Sequence, residues 1–170
     1  MKKITKFLAL TVVMLAFATS TFAQLSATAT ATATIVTPLS ITNTANMNFG
    51  NVAVGGALGT VVLTPAGGRS TTGGCALPTV AGTVTAASFD IVGEPGTSYG
   101  ITLPAGATTI TSGTDNMTVD TWSGSIASPS TLPVGGTETL NVGATLHVGA
   151  NQPTGTYVSG TPFTVTIFYN

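Results

Sequence analysis

The chain carries one histidine, one cysteine and five carboxylates with which to do acid–base, nucleophilic or metal chemistry. His147 is the only side chain able to serve as the base of a nucleophilic triad, and it sits in LNVGATLHVGAN on the strand face opposite Leu146 and Val148. That position predicts a solvent-facing strand residue. No serine lies in a Gly-x-Ser-x-Gly elbow, and Ser123-Gly124-Ser125 reads as loop. One His and one Cys fall short of the three or four protein ligands of a transition-metal site. Asp115-Asn116, Asp120 and the Asp90/Glu94 pair lack the repeated acidic spacing of a calcium loop. Paired carboxylates could hydrolyse a glycoside, but Trp122 is the only tryptophan to line a sugar cleft. The expectation is a non-enzyme with no metal and no cofactor. Asn116-Met117-Thr118 matches a glycosylation acceptor pattern. Cys75, alone, forms no internal disulfide; behind Gly73-Gly74 it reads as a small buried hydrophobe, with an intermolecular bridge as the alternative.

What the chain does offer is backbone hydrogen bonding. Residues 25–35, LSATATATATI, alternate strictly. Leu25, Ala27, Ala29, Ala31, Ala33 and Ile35 fall on one face of an extended strand, and Ser26, Thr28, Thr30, Thr32 and Thr34 on the other. The odd face continues through Leu39 and Ile41, broken by Thr37. One strand from Leu25 to Ile41 would span roughly 55 Å, whereas ordinary strands run about 5–6 residues. The pattern therefore predicts a domain strand at about 35–42, preceded by a strand that belongs to another sheet. An N-terminal strand that seeks a sheet edge is one way chains join. The plain alternative is an Ala/Thr spacer.

The first 23 residues explain where this would happen. Lys2, Lys3 and Lys6 form a basic start, Phe7–Ala18 is apolar but for Thr11, and Thr21-Phe22-Ala23 supplies small residues for cleavage. This is the pattern of a secretory signal peptide, too short to span a bilayer. No other run is long and apolar enough to cross as a helix, so no transmembrane anchor is expected. The expected organisation is signal 1–23, extension 24–34 and domain 35–170. The product is expected to cross the inner membrane into the periplasm, then reach the cell surface or the medium. Removing the signal removes every lysine and leaves Arg69 against Asp90, Glu94, Asp115, Asp120 and Glu138, a net charge of −4. Without a basic patch, nucleic acid is a poor partner.

Short β runs follow one another at Ile35–Thr42, Met47–Val52, Leu58–Thr64, Val84–Val92, Tyr99–Leu103, Met117–Trp122, Thr137–Val148 and Pro162–Tyr169. Val54-Gly55-Gly56 reads as a hairpin-like turn between the second and third. Residues 65–74 and 123–136 read as loops. Met117, Val119 and Thr121 alternate against Thr118, Asp120 and Trp122, and Gly143 is positioned to allow a bend or bulge. Seven to eight strands in about 135 residues predict an all-β, immunoglobulin-like β-sandwich with an extended N-terminal strand; a closed barrel is the alternative.

The segments ATATATIVTPLSIT, NMNFGNVAVGG, VVLTPAGGRSTTGG and LHVGANQPTGTYVSGTPFTVTIFYN resemble an uncharacterised family of secreted bacterial domains. That family is similar in layout to the immunoglobulin-like subunits of chaperone–usher pili. The resemblance implies that Leu25, Ala27, Ala29, Ala31, Ala33 and Ile35 form a donor strand. It also implies that Phe163, Val165, Ile167 and the penultimate Tyr169 form the acceptor, chaperone-pairing strand. The implied partners are copies of the chain or related subunits, a periplasmic chaperone and an outer-membrane usher. Donor strands in such systems usually carry bulky apolar residues. An alanine donor implies a shallow, tight acceptor in which backbone hydrogen bonds supply much of the hold. The expected function is a fimbria-like or matrix subunit assembling by strand addition. The alternative is a monomeric surface- or carbohydrate-binding module using loops 65–74 or 123–136.

Overall fold

The computed structural model describes residues 24–170, and the expected signal peptide lies outside the described residues. The described residues contain strands and no helix. In chain order the strands are β1 (Ser40–Ala45), β2 (Ala53–Leu63), β3 (Arg69–Ala76), β4 (Ala87–Val92), β5 (Ser98–Thr102), β6 (Thr108–Ser112), β7 (Asp115–Gly124), β8 (Ser130–Thr131), β9 (Thr137–Val148), β10 (Val158–Ser159) and β11 (Thr166–Tyr169). Every pairing is antiparallel. An eight-stranded sheet runs β1-β4-β9-β7-β6-β10, with β2 and β3 joining beside β9, and a three-stranded sheet runs β11-β5-β8. The fold is a β-sandwich. Val36–Asn170 forms one compact unit.

β9 organises the large sheet. Its alternating row Leu140, Val142, Ala144, Leu146 and Val148 is buried throughout, as a period of two requires. Along one edge β9 pairs first with β4, through Thr137–Val142, and then with β2, through Ala144–Val148. The change of partner falls at Gly143. A Cβ there would collide with the Leu63 carbonyl and with Thr64 and Pro65. Glycine is needed because the end of β2 lies against this backbone. The opposite strand slips register at the same level, between Asp120 and Ser123 of β7.

Two cores result. The first lies between the sheets and joins Phe89, Ile91, Leu140 and Val142 of the large sheet to Tyr99, Leu132 and Val165 on the other side. The second covers one face of the large sheet and gathers Val61, Cys75, Val119, Ala144, Leu146 and Val148 under Met47, Phe49 and Val52. Residues 47–52, expected as a strand, make only one isolated bridge, Asn48 to Thr85. They are instead a plug. Asn51 donates to the Val80 carbonyl, and Gly50, at φ +69°, receives no side chain because Ala81 and Val84 lie too close. The Arg69 guanidinium donates to the carbonyls of Phe49 and Asn51. The single cation of residues 24–170 thus closes the second core.

Five other expectations are corrected. Residues 65–74 are not a loop throughout, because β3 begins at Arg69 and pairs with β2; its run RSTTGGCA carries too few apolar residues to announce a strand. Val54-Gly55-Gly56 is not a hairpin turn but part of β2, where residues 55–58 bulge opposite Gly74. Trp122 does not share the outer face with Asp120. A bulge at Thr121, with φ 52°, turns the indole inward, where it packs against both cores. β1 starts at Ser40 rather than Ile35, after Pro38, which has no N–H to give a ladder. The strands number eleven rather than seven or eight, two of them only two residues long.

Gly143→Val is expected to destabilise the domain by about 1–3 kcal/mol, the usual cost of overpacking. Denaturant unfolding measures this, and the domain should retain its β circular-dichroism signal.

Candidate functional site

β11 is built from the residue pattern expected of it. Phe163, Val165, Ile167 and Tyr169 face the first core while Thr164, Thr166 and Phe168 face outward. Val165 is only 8% exposed. Phe163 stacks against Trp122 with ring centroids 4.4 Å apart and meets Phe89 edge-on at 6.3 Å. Ladder pairing begins at Thr166 and runs to Tyr169, matched to Thr102 down to Tyr99. Phe168 covers Gly100 directly across the ladder, an aromatic filling the space a glycine leaves.

β11 pairs with β5 alone, and β1 pairs with β4 alone. Each is therefore the edge of its sheet, and both contribute to the first core. Leu39 and Ile41 on the β1 side, and Phe163, Ile167 and Tyr169 on the β11 side, are half-buried. Residues 24–35 carry no strand pairing, and Leu25 and Ile35 are 96% and 97% exposed. Ala27, Ala29, Ala31 and Ala33 are exposed as well.

Tyr169 ties three parts of the domain together. Its phenol donates to the Thr37 carbonyl at 2.9 Å and accepts from the Glu94 N–H at 2.7 Å. The Glu94 carboxylate accepts from the Thr37 N–H at 2.8 Å. That backbone bond holds the Glu94 carboxyl below its ordinary value. Gly93 beside them must be glycine, since a Cβ would press on the Tyr169 hydroxyl, Leu132 and Leu39. The clasp fixes Thr37 against the C-terminal strand. The sequence marks Thr37 only as a break in the odd face and Glu94 only as a neighbour of Asp90; their partners lie 132 and 57 residues away, and only the fold brings them together.

His147, Asp90, Asp120 and Glu138 have structural partners. His147 is exposed and its Nε2 lies 2.8 Å from Asp120 Oδ1 across β9 and β7. The histidine and Thr121 both hold the Asp120 carboxyl below its ordinary value. Asp90 accepts from the Thr139 hydroxyl and does not join Glu94. Tyr99, fully buried, donates to Glu138 at 2.6 Å, and burial with that carboxylate pushes its phenol up to about 12. Among the described residues no cluster of three His, Cys, Asp or Glu side chains could hold a metal. Cys75 is buried in the second core, and burial pushes its thiol up, so thiolate chemistry is disfavoured.

Tyr169→Phe leaves the Thr37 carbonyl and Glu94 N–H without their partner and should cost about 1–3 kcal/mol in thermal or denaturant unfolding. Because the folded carboxyl of Glu94 is depressed, its bond to Thr37 is complete above the ordinary value of 4.5 and is lost as pH falls through the lower folded value. The Thr37 amide resonance should report that transition, and Glu94→Gln should abolish it. Cys75 should resist alkylation by iodoacetamide in the native state and react readily in denaturant.

No curated protein and no solved structure matches this chain. Residues 39–169, from the last residue before β1 to the end of β11, match the family described as a domain of unknown function, DUF4402, and the chain belongs to that family.

Proposed function

We propose that this protein is an exported structural subunit that assembles into a fimbria-like or matrix polymer by β-strand addition. The observation that carries this reading is a sheet edge at β11 whose inward residues belong to the core, in a chain whose own alternating segment 25–35 is unpaired and exposed. An open edge offers a row of N–H and C=O groups to another strand. An alternating segment can meet such an edge with its apolar side inward and its hydroxyls outward.

The chemistry around the edge supports the same reading. Residues 161–170 and 24–35 contain no charged side chain, so nothing repels an approaching copy. Cys75 is buried, and His147, Asp90, Glu94, Asp120 and Glu138 each have a hydrogen-bond partner within the domain. On this reading the sandwich is immunoglobulin-like, export precedes assembly, and a periplasmic chaperone and an outer-membrane usher handle the open edge until a neighbour fills it. No helix among the described residues is long and apolar enough to cross a membrane.

Ala29→Asp combined with Ala31→Asp should abolish polymer while leaving the unfolding midpoint of the monomer unchanged, because two carboxylates would have to be buried at the joint. Native size analysis and negative-stain microscopy of chain 24–170, beside a chain lacking 24–34, provide the comparison. Fibres from the first and monomers from the second support strand addition. Equally stable monomers from both would discard it and favour a monomeric ligand-binding module.

A further inference from the structure

The deepest residues of the core beneath β11 are already covered in the single chain. Val165 is 8% exposed, Leu132 2% and Tyr99 0%. The ring of Phe163 is taken up by Trp122 and Phe89. Two surface depressions, of about 360 and 410 Å³, involve residues 107–111 with 160–162 and the strands β4 and β9; the first reaches Pro162, and neither is lined by Phe163–Tyr169. A strand added at this edge therefore has backbone to pair with but little depth for side chains.

Faces and lengths restrict the pairing further. Directly opposed residues in an antiparallel ladder share a face, so odd-numbered alanines must oppose the odd-numbered inward residues of the C-terminal strand. Pro162 has no N–H and limits the edge at that end, which leaves the seven residues Phe163–Tyr169. Ala27–Ala33 is also seven residues long, with bulky Leu25 and Ile35 beyond its ends.

Resting on the strand-addition reading, we propose that the occupant of this edge is residues 27–33 of a second copy, held antiparallel in one register and selected for small inward side chains. Ala29 lies opposite Ile167 and Ala31 opposite Val165. The ladder ends with Ala27 against Tyr169 and Ala33 against Phe163. Leu25 and Ile35 then fall outside the ladder, so a shift by two residues in either direction would push one of them against a covered core. On the outer face the same register sets Thr30 opposite Thr166 and Thr32 opposite Thr164. The chain already makes such contacts: Thr60 and Thr72 oppose each other across β2 and β3 with hydroxyls 2.7 Å apart, and Thr166 opposes Thr102. Antiparallel pairing matches every other ladder in the domain.

The test uses the exported chain in a Cys75→Ala background, or with native Cys75 retained, since it is buried, should that change impair folding. A chain carrying Thr30→Cys and Thr166→Cys, treated with copper phenanthroline, should give a ladder of disulfide-linked multimers on a non-reducing gel. Thr30→Cys with Thr164→Cys should give few. A second arm replaces Ala29 and Ala31 with leucine, which should reduce the assembled fraction roughly tenfold or more, as overpacking does. If wild type assembles but the ladder favours Thr164→Cys, the bridge closes within one chain, or the leucine variant assembles as well as wild type, this inference is overturned while strand addition stands. If wild type does not assemble at all, both fall together.

Discussion

One strand sets the architecture. β9 places five consecutive inward side chains, Leu140 to Val148, along both cores, and it pairs with three other strands. It does so by changing neighbours at Gly143, where β2 ends against its backbone. Without that close approach β2 and β4 could not share one edge, and the second core would lose β2 and β3. The register of β7 slips at the same level, and Trp122 lies in the seam where the two cores meet.

The cost of a two-sheet design is its edges. Proteins often guard open edges with charge or proline. This chain has few charges to spend: its one cation in 24–170, Arg69, fastens the plug at residues 47–52, and most carboxylates are held by hydroxyls, backbone or His147. β11 is left without a guarding charge, with Pro162 four residues before its start and the Tyr169 clasp at its end. An uncharged edge of this kind is a liability for a protein meant to remain single and an asset for one meant to join copies. The same clasp anchors Thr37 to Tyr169 and Glu94 within the domain.

Much of the fold could be read locally. The inward faces of β4, β9 and the final strand were visible as alternation, because the strand pleat sends successive side chains to opposite sides whatever the strand pairs with. β3 was hidden, since RSTTGGCA is polar and glycine-rich and becomes a strand only by pairing with β2. The alternation alone groups Trp122 with Thr118 and Asp120, because a one-residue bulge reverses the faces beyond it and leaves no mark in composition. At the candidate site the alternation of residues 25–35 and the inward Phe163–Tyr169 row are legible; the clasp of Thr37 and Glu94 on Tyr169 is not.

By itself the sequence determined the all-β class, the alternating faces and the shortage of catalytic and charged groups, because each depends on residue type and a spacing of two. Only the tertiary structure decided which strands are edges, where β9 changes partner, and that Tyr169 holds Thr37 and Glu94. Those outcomes depend on contacts between residues tens to more than a hundred positions apart, and no local pattern specifies which of many compatible strands will meet.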